Sequence, residues 1–180
     1  MTISLKKRFS SALAFFLAAA VLNGCNQRQT LRIGDTIEPV VLQDVHGKSM
    51  TLPDDVKGKV ALLRFWSIEC PSCSKELIRA FDTLYRKYKA QGVVVVAINV
   101  RQPAEAAEEF KKLENISYPM LIDPNSSVAR RFGVVGLPTT FILDQEGILR
   151  EKITGDAELE TFEKLLTTVL YKGGTYDSAY

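Results

Sequence analysis

The chain of 180 residues contains one histidine, three cysteines and one tryptophan. A structural zinc site takes four nitrogen or sulfur ligands. Cys70 and Cys73 make half of such a site, and the single histidine, His46, lies well before them. No metal and no cofactor is therefore expected. Charge of one sign is also missing: 23 Lys and Arg stand against 21 Asp and Glu, with no basic patch of the kind that binds nucleic acid. There is no internal repeat and no low-complexity tract. No apolar run reaches the roughly 20 residues that span a bilayer comfortably.

The longest apolar run, residues 12–22, follows Lys6, Lys7 and Arg8. A basic stretch before a short apolar one reads as an export signal. It ends in Leu22-Asn23-Gly24-Cys25, which resembles the lipobox of bacterial lipoproteins, whose cysteine receives diacylglyceryl and becomes the new N-terminus. The resemblance implies a signal peptide over 1–24, lipid on Cys25, a tether over 25–32 and a firm hold on a membrane surface. Asn26 follows, a residue that favours the outer membrane under Gram-negative sorting. Cleavage removes three basic residues and no acid, leaving 20 basic against 21 acidic residues and a net charge near −1. The remaining chain is long enough for one domain with a proper core, over 33–171, with a polar, glycine-containing tail over 172–180.

With Cys25 assigned to lipid, Cys70 and Cys73 are the remaining thiols. Outside the cytoplasm they can hold a disulfide. A bridge over two intervening residues closes so small a loop that it constrains little of the unfolded chain. The pair therefore reads as reactive. Residues 60–66 (VALLRFW) form a short, mostly apolar run and read as a buried strand. A helix is expected over 71–91, with Leu77, Phe81, Leu84, Tyr85 and Tyr88 on one apolar face and Cys73 one turn before them. Residues 93–100 are a second β-branched strand. A helix over 102–115, a strand over 120–123 and a short helix over 125–132 with an Asn/Ser cap follow. Strands over 139–143 and 148–154 join through Asp144-Gln-Glu-Gly147 as a hairpin, and Asp156 is expected to cap a last helix. Residues 39–52 suggest an N-terminal hairpin. Strand–helix alternation ending on a hairpin implies an α/β domain with a mixed sheet and flanking helices. A C-x-x-C closing a strand and opening a helix is the redox-motif context.

The segments IGDTIEPVVLQDVHGKSMTL, GKVALLRFWSIECPSCSKEL and GVVGLPTTFILDQEGIL together resemble the TlpA/ResA-like thiol-disulfide oxidoreductases, membrane-tethered members of the thioredoxin superfamily. The resemblance spans about residues 33–170. It implies a thioredoxin-like fold with an added N-terminal β-hairpin and an inserted strand–helix element. It implies that Pro138 is cis beside the cysteines, with the Leu137 peptide offering backbone hydrogen bonds to substrate. Glu76 matches an acid that moves protons at the thiol pair in this family. Trp66 matches a core tryptophan.

The chemistry follows from thiolate reactivity. Cys70, nearer solvent and at an expected helix N-terminus, is the nucleophile and forms a mixed disulfide. Cys73, facing the core, attacks Cys70 and releases reduced substrate. Two residues depart from the family's pattern. Glu69 stands where an aromatic is usual; a carboxylate beside a thiol disfavours its ionisation, which accompanies a more reducing pair. Arg64 stands where thioredoxins bury an acid and relatives often carry a neutral polar residue. A buried arginine needs a partner, and Glu76 is the expected one.

The resemblance favours a reductant that takes electrons from a membrane thiol-transfer protein and passes them to protein disulfides such as apocytochrome c. A monomer, anchored by lipid and facing the periplasm or the cell exterior, is expected. Two alternatives have sequence-level arguments. A thiol peroxidase needs Pro and Thr or Ser before its cysteine, and a supporting Arg; Ser67 fits three before, but Leu63 stands seven before. A copper chaperone of this fold typically has C-x-x-x-C and a distal histidine, and no histidine follows Cys73.

Overall fold

The computed structural model describes residues 31–101, 110, 112–113 and 115–172. The expected signal peptide, Cys25, nearly all of the helix expected over 102–115, and the tail from 173 lie outside the described residues. Seven strands, β1 (Val40–Asp44), β2 (Ser49–Leu52), β3 (Val60–Trp66), β4 (Val93–Val100), β5 (Met120–Asp123), β6 (Thr139–Leu143) and β7 (Leu149–Thr154), form one sheet. Its order is β2-β1-β5-β4-β3-β6-β7. β3, β4 and β5 run parallel, and the remaining neighbours pair antiparallel. This is the mixed sheet expected, with the N-terminal hairpin docked on β5.

Three adjacent interior strands, β4, β3 and β6, are buried at every position. Strands covered on both faces read as continuous apolar runs, and VVVVAINV does. Alternation along β3 still sorts the residues. Val60, Leu62 and Trp66 point to the face covered by α1 (Lys75–Tyr88) and α3 (Leu159–Lys172), where Ile78, Phe81, Leu84, Phe162 and Leu166 pack. Ala61, Leu63 and Phe65 point to the other face, with Phe132, Phe141 and α2 (Ser127–Arg131). Phe65, Phe132 and Phe141 form an aromatic trio at centroid distances of 5.0, 5.6 and 5.5 Å.

Three local expectations change. α1 starts at Lys75, not residue 71. Ser74 is its cap, with its hydroxyl accepting from Leu77 N–H at 3.0 Å, and residues 70–73 form a separate turn. α2 is not capped by Asn125 or Ser126. Ser126 adopts a left-handed φ of 54° with no side-chain cap. The carboxylate of buried Asp123, at the end of β5, instead accepts from Ser127 N–H and Ala129 N–H, each at 2.8 Å. A charged acceptor closes that helix start better than a neutral one. Asp156 does not cap α3; it turns toward β3 and α1. Both Leu52–Pro53 and Leu137–Pro138 are cis.

Asp123→Ala leaves two N–H groups without their charged acceptor. Each such bond contributes about 1.5–3 kcal/mol, so a loss of about 3–6 kcal/mol is expected, read as a lower urea midpoint by Trp66 fluorescence.

Candidate active site

β3 ends at Trp66, and the chain turns at Ser67-Ile68-Glu69. The turn is pinned from β4: Asn99, fully buried beside the end of β3, accepts from Ile68 N–H at 3.1 Å. Cys70 N–H then bonds Ser67 C=O and Cys73 N–H bonds Cys70 C=O, both at 3.1 Å. Two successive i→i+3 turns thus place the cysteines side by side before the helix begins.

The two thiols are free and occupy different environments. Cys70 is half-buried and Cys73 is 5% exposed. Cys73 packs with Trp66, Leu77, Ile78 and Phe81. Burial pushes its thiol up to about 12, because a thiolate there loses its hydration, and its hydrogen bond to Cys70 adds to the effect. Cys70 Sγ donates to the carbonyl oxygen of Leu137 at 3.8 Å. That carbonyl belongs to the cis Leu137–Pro138 peptide, which lies at the entry to β6. Leu137, Pro138 and the two cysteines, expected together on resemblance, are brought together here. Val135, in the same loop, is 88% exposed.

Glu76 is exposed, and its carboxylate accepts from Ser74 Oγ at 3.3 Å. It sits at the N-terminal turn of α1, where a negative charge is mildly favourable. Glu69 is also exposed, with its N–H on Ser67 Oγ at 3.3 Å.

Arg64 is the correction with the largest consequence. It does not pair with Glu76. Its side chain is completely buried, its Nη2 is ion-paired with Asp156, and its Nη1 donates to Thr140 Oγ1 at 3.0 Å. The guanidinium lies 5.4 and 5.6 Å from the ring centroids of Phe81 and Phe162, within cation–π range. The other carboxylate oxygen of Asp156 accepts from Ser74 N–H at 2.9 Å. Asp156 therefore ties β3 to the residue directly after Cys73. Sequence reasoning missed both Asp156 and Asn99. The one usable signal was Arg64 itself, which demanded an acid without saying which.

Comparison with known proteins agrees with this architecture. The AhpC/TSA family model matches residues 33–152. The thiol-disulfide oxidoreductase ResA of Geobacillus kaustophilus is 32% identical over 164 residues, covering 88% of this chain and 93% of the relative. ResA of Bacillus cereus is 31% identical, covering 80% and 82%. Among solved structures, a Chlorobium tepidum protein assigned as the thiol:disulfide interchange protein DsbE superposes with a TM-score of 0.70 at 27% identity, covering 78% of this chain and 99% of that one.

The thiols should differ sharply toward an alkylating agent. At pH 8 a group with a pKa of about 12 is ionised in about one molecule in ten thousand. Iodoacetamide on the reduced protein is expected to modify Cys70 and spare Cys73, read by peptide mass spectrometry.

The match over 33–152, the ResA relatives and the thioredoxin-like sheet lead to one conclusion: the chain belongs to the AhpC/TSA family and is a ResA-like thiol-disulfide oxidoreductase of the thioredoxin superfamily.

Proposed function

We propose that the protein reduces disulfides in partner proteins by dithiol exchange through Cys70 and Cys73. The observation that carries this reading is the asymmetry of the pair. Cys70 is partly open and lies against the Leu137 carbonyl, whereas Cys73 is enclosed and held protonated. Cys70 as thiolate attacks one sulfur of the substrate disulfide, forming a mixed disulfide and expelling the other sulfur as a thiolate, which takes a proton. Cys73, once deprotonated, attacks Cys70 Sγ. The Cys70–Cys73 bond forms, the mixed disulfide breaks, and the second substrate thiol leaves. Two electrons pass to the substrate, and the protein is left oxidised. An incoming extended substrate segment is aligned by the backbone groups of Leu137 beside Pro138. Glu76, at the surface one turn beyond Cys73, exchanges protons with solvent at the pair.

The exported setting belongs to the same proposal. Cleavage at Gly24, lipid on Cys25 and a short tether place a monomeric domain on a bacterial membrane, facing the periplasm or the outside of the cell. A membrane thiol-transfer protein re-reduces the pair, and apocytochrome c is the type of substrate the family resemblance favours. The support is the basic and apolar pattern before Cys25 and the ResA relatives. The peroxidase alternative has less support: Arg64 is engaged by Asp156 and Thr140, and Ser67 Oγ accepts from Glu69 N–H.

The test is a Cys73→Ala variant incubated with a protein carrying one accessible disulfide. It is expected to accumulate a covalent complex through Cys70, released by dithiothreitol, while Cys70→Ala forms none and does not turn over. Peroxide consumption at rates exceeding disulfide reduction would favour the peroxidase instead.

A further inference from the structure

Arginine in the middle of a fully buried strand is an expensive choice. Side-chain alternation along β3 puts Arg64 on the same face as Leu62 and Trp66, the face on which Cys73, Phe81 and Phe162 pack. Its only charged partner among the described residues is Asp156. The two charges are not equally screened. The arginine side chain is 0% exposed, while that of Asp156 is 30% exposed, so water weakens the carboxylate's field more than the guanidinium's. The buried end of the pair is therefore left net positive. Asp156 also fixes where that positive end lies, because its second oxygen holds Ser74 N–H, one residue from Cys73.

We infer that Arg64 is a positioning residue for the resolving thiol: its buried guanidinium, docked through Asp156 onto the backbone beside Cys73, favours the negative charge that Cys73 must carry when it attacks the mixed disulfide. The inference rests on the dithiol reading above and specifies how a thiol so deeply enclosed becomes a nucleophile. The other titratable groups on this face include the Tyr118 hydroxyl, which is buried in the same cluster, donates to Ile78 C=O at 2.6 Å and is kept protonated by burial. Burial raises the pKa of Cys73 most and the hydrogen bond with Cys70, in the same turn, adds to it; a backbone hydrogen bond from Ser67 lowers it, and the charge of Arg64 lowers it further by a smaller amount. Glu69 and Glu76 are exposed to solvent. α3 presents Phe162 and Leu166 to this face, and β6 presents Thr140 to Arg64. In the resolving step the proton leaves Cys73, the Cys70–Cys73 bond forms and the substrate thiolate departs; Arg64 gains and loses nothing and acts only through its charge.

The test uses the full-length reduced protein and oxidised glutathione in single turnover, quenched with acid from pH 6 to 9. Mass spectrometry counts the Cys70–glutathione adduct and the internal disulfide. An opposite charge nearby shifts a pKa by about one to three units, and about half of that is offset by altered nucleophilicity. Arg64 is the smallest of the influences on Cys73, so the low end applies: in Arg64→Met the adduct is expected to last about threefold longer at pH 7, and its decay to match wild type about half a pH unit higher. Arg64→Lys, which keeps the charge, should recover most of the rate. Arg64→Gln, which keeps hydrogen-bonding groups at the end of the side chain but loses the charge, should slow like Arg64→Met. A packing role for Arg64 gives a different pattern, in which Arg64→Lys slows as much as Arg64→Met and raising the pH does not restore the rate; that pattern overturns the inference. If Arg64→Met does not fold, the opposite responses expected of Arg64→Lys, which resolves at near the wild-type rate, and Arg64→Gln, which slows, still decide. If wild type closes its disulfide normally and all variants match it, this inference alone falls. If wild type forms neither adduct nor internal disulfide, the dithiol reading falls and takes the inference with it.

Discussion

A guanidinium with no exposed surface, halfway along β3, constrains everything around it. Burying an unpaired ion is prohibitive, and even a paired one is costly unless its remaining donors are placed. Asp156 and Thr140 supply acceptors for the two terminal nitrogens, Phe81 and Phe162 supply aromatic rings, and Nε is left without a hydrogen-bond partner. These partners come from the β7–α3 connection, β6, α1 and α3. One side chain thus ties the sheet to both helices on its face. Because Asp156 also holds Ser74 N–H, the start of α1 is fixed relative to the same charge. Removing either member alone would leave its partner without compensation, the situation in which buried pairs matter most.

The cysteines inherit their difference from this frame. Asn99 pins the turn on one side and Asp156 on the other, and the two i→i+3 bonds between them leave Cys70 outward and Cys73 inward. Burial then separates their chemistry. Cys73 is held as a thiol, with its pKa pushed up to about 12. Cys70 faces the Leu137 carbonyl. In the proposed exchange, the same turn sets both the order of attack and the site of docking.

The strands, the hairpins and the adjacency of the two thiols were legible because each is written in local pattern: VALLRFW and VVVVAINV as buried strands, C-P-S-C at a strand end. Pro138 beside the thiols came from the GVVGLPTTF resemblance. What was not legible is long-range pairing. Arg64 announced the need for an acid, and the nearest plausible one in sequence was Glu76; the actual partner lies 92 residues away. Asp156, just after Gly155 and ahead of an apolar helix, has the look of a cap in any local reading. Asp123 misled in the opposite way. It sits at a strand end, four to six residues before the N–H groups it caps, so Asn125 and Ser126, nearer the helix, took its place in the expectation. The later start of α1 has the same origin: Pro71 is compatible with a first helical turn, but Ser74 provides the cap that decides it.

The reduction potential of the Cys70–Cys73 pair is the most direct measurement. Equilibrating the protein in thiol/disulfide buffers and following Trp66 fluorescence gives it without any assumed substrate. A dedicated reductant of this architecture is expected at about −250 mV or lower, near thioredoxin. A value near about −120 mV, in the range of a strong oxidant, would contradict the reductive direction of the proposed exchange.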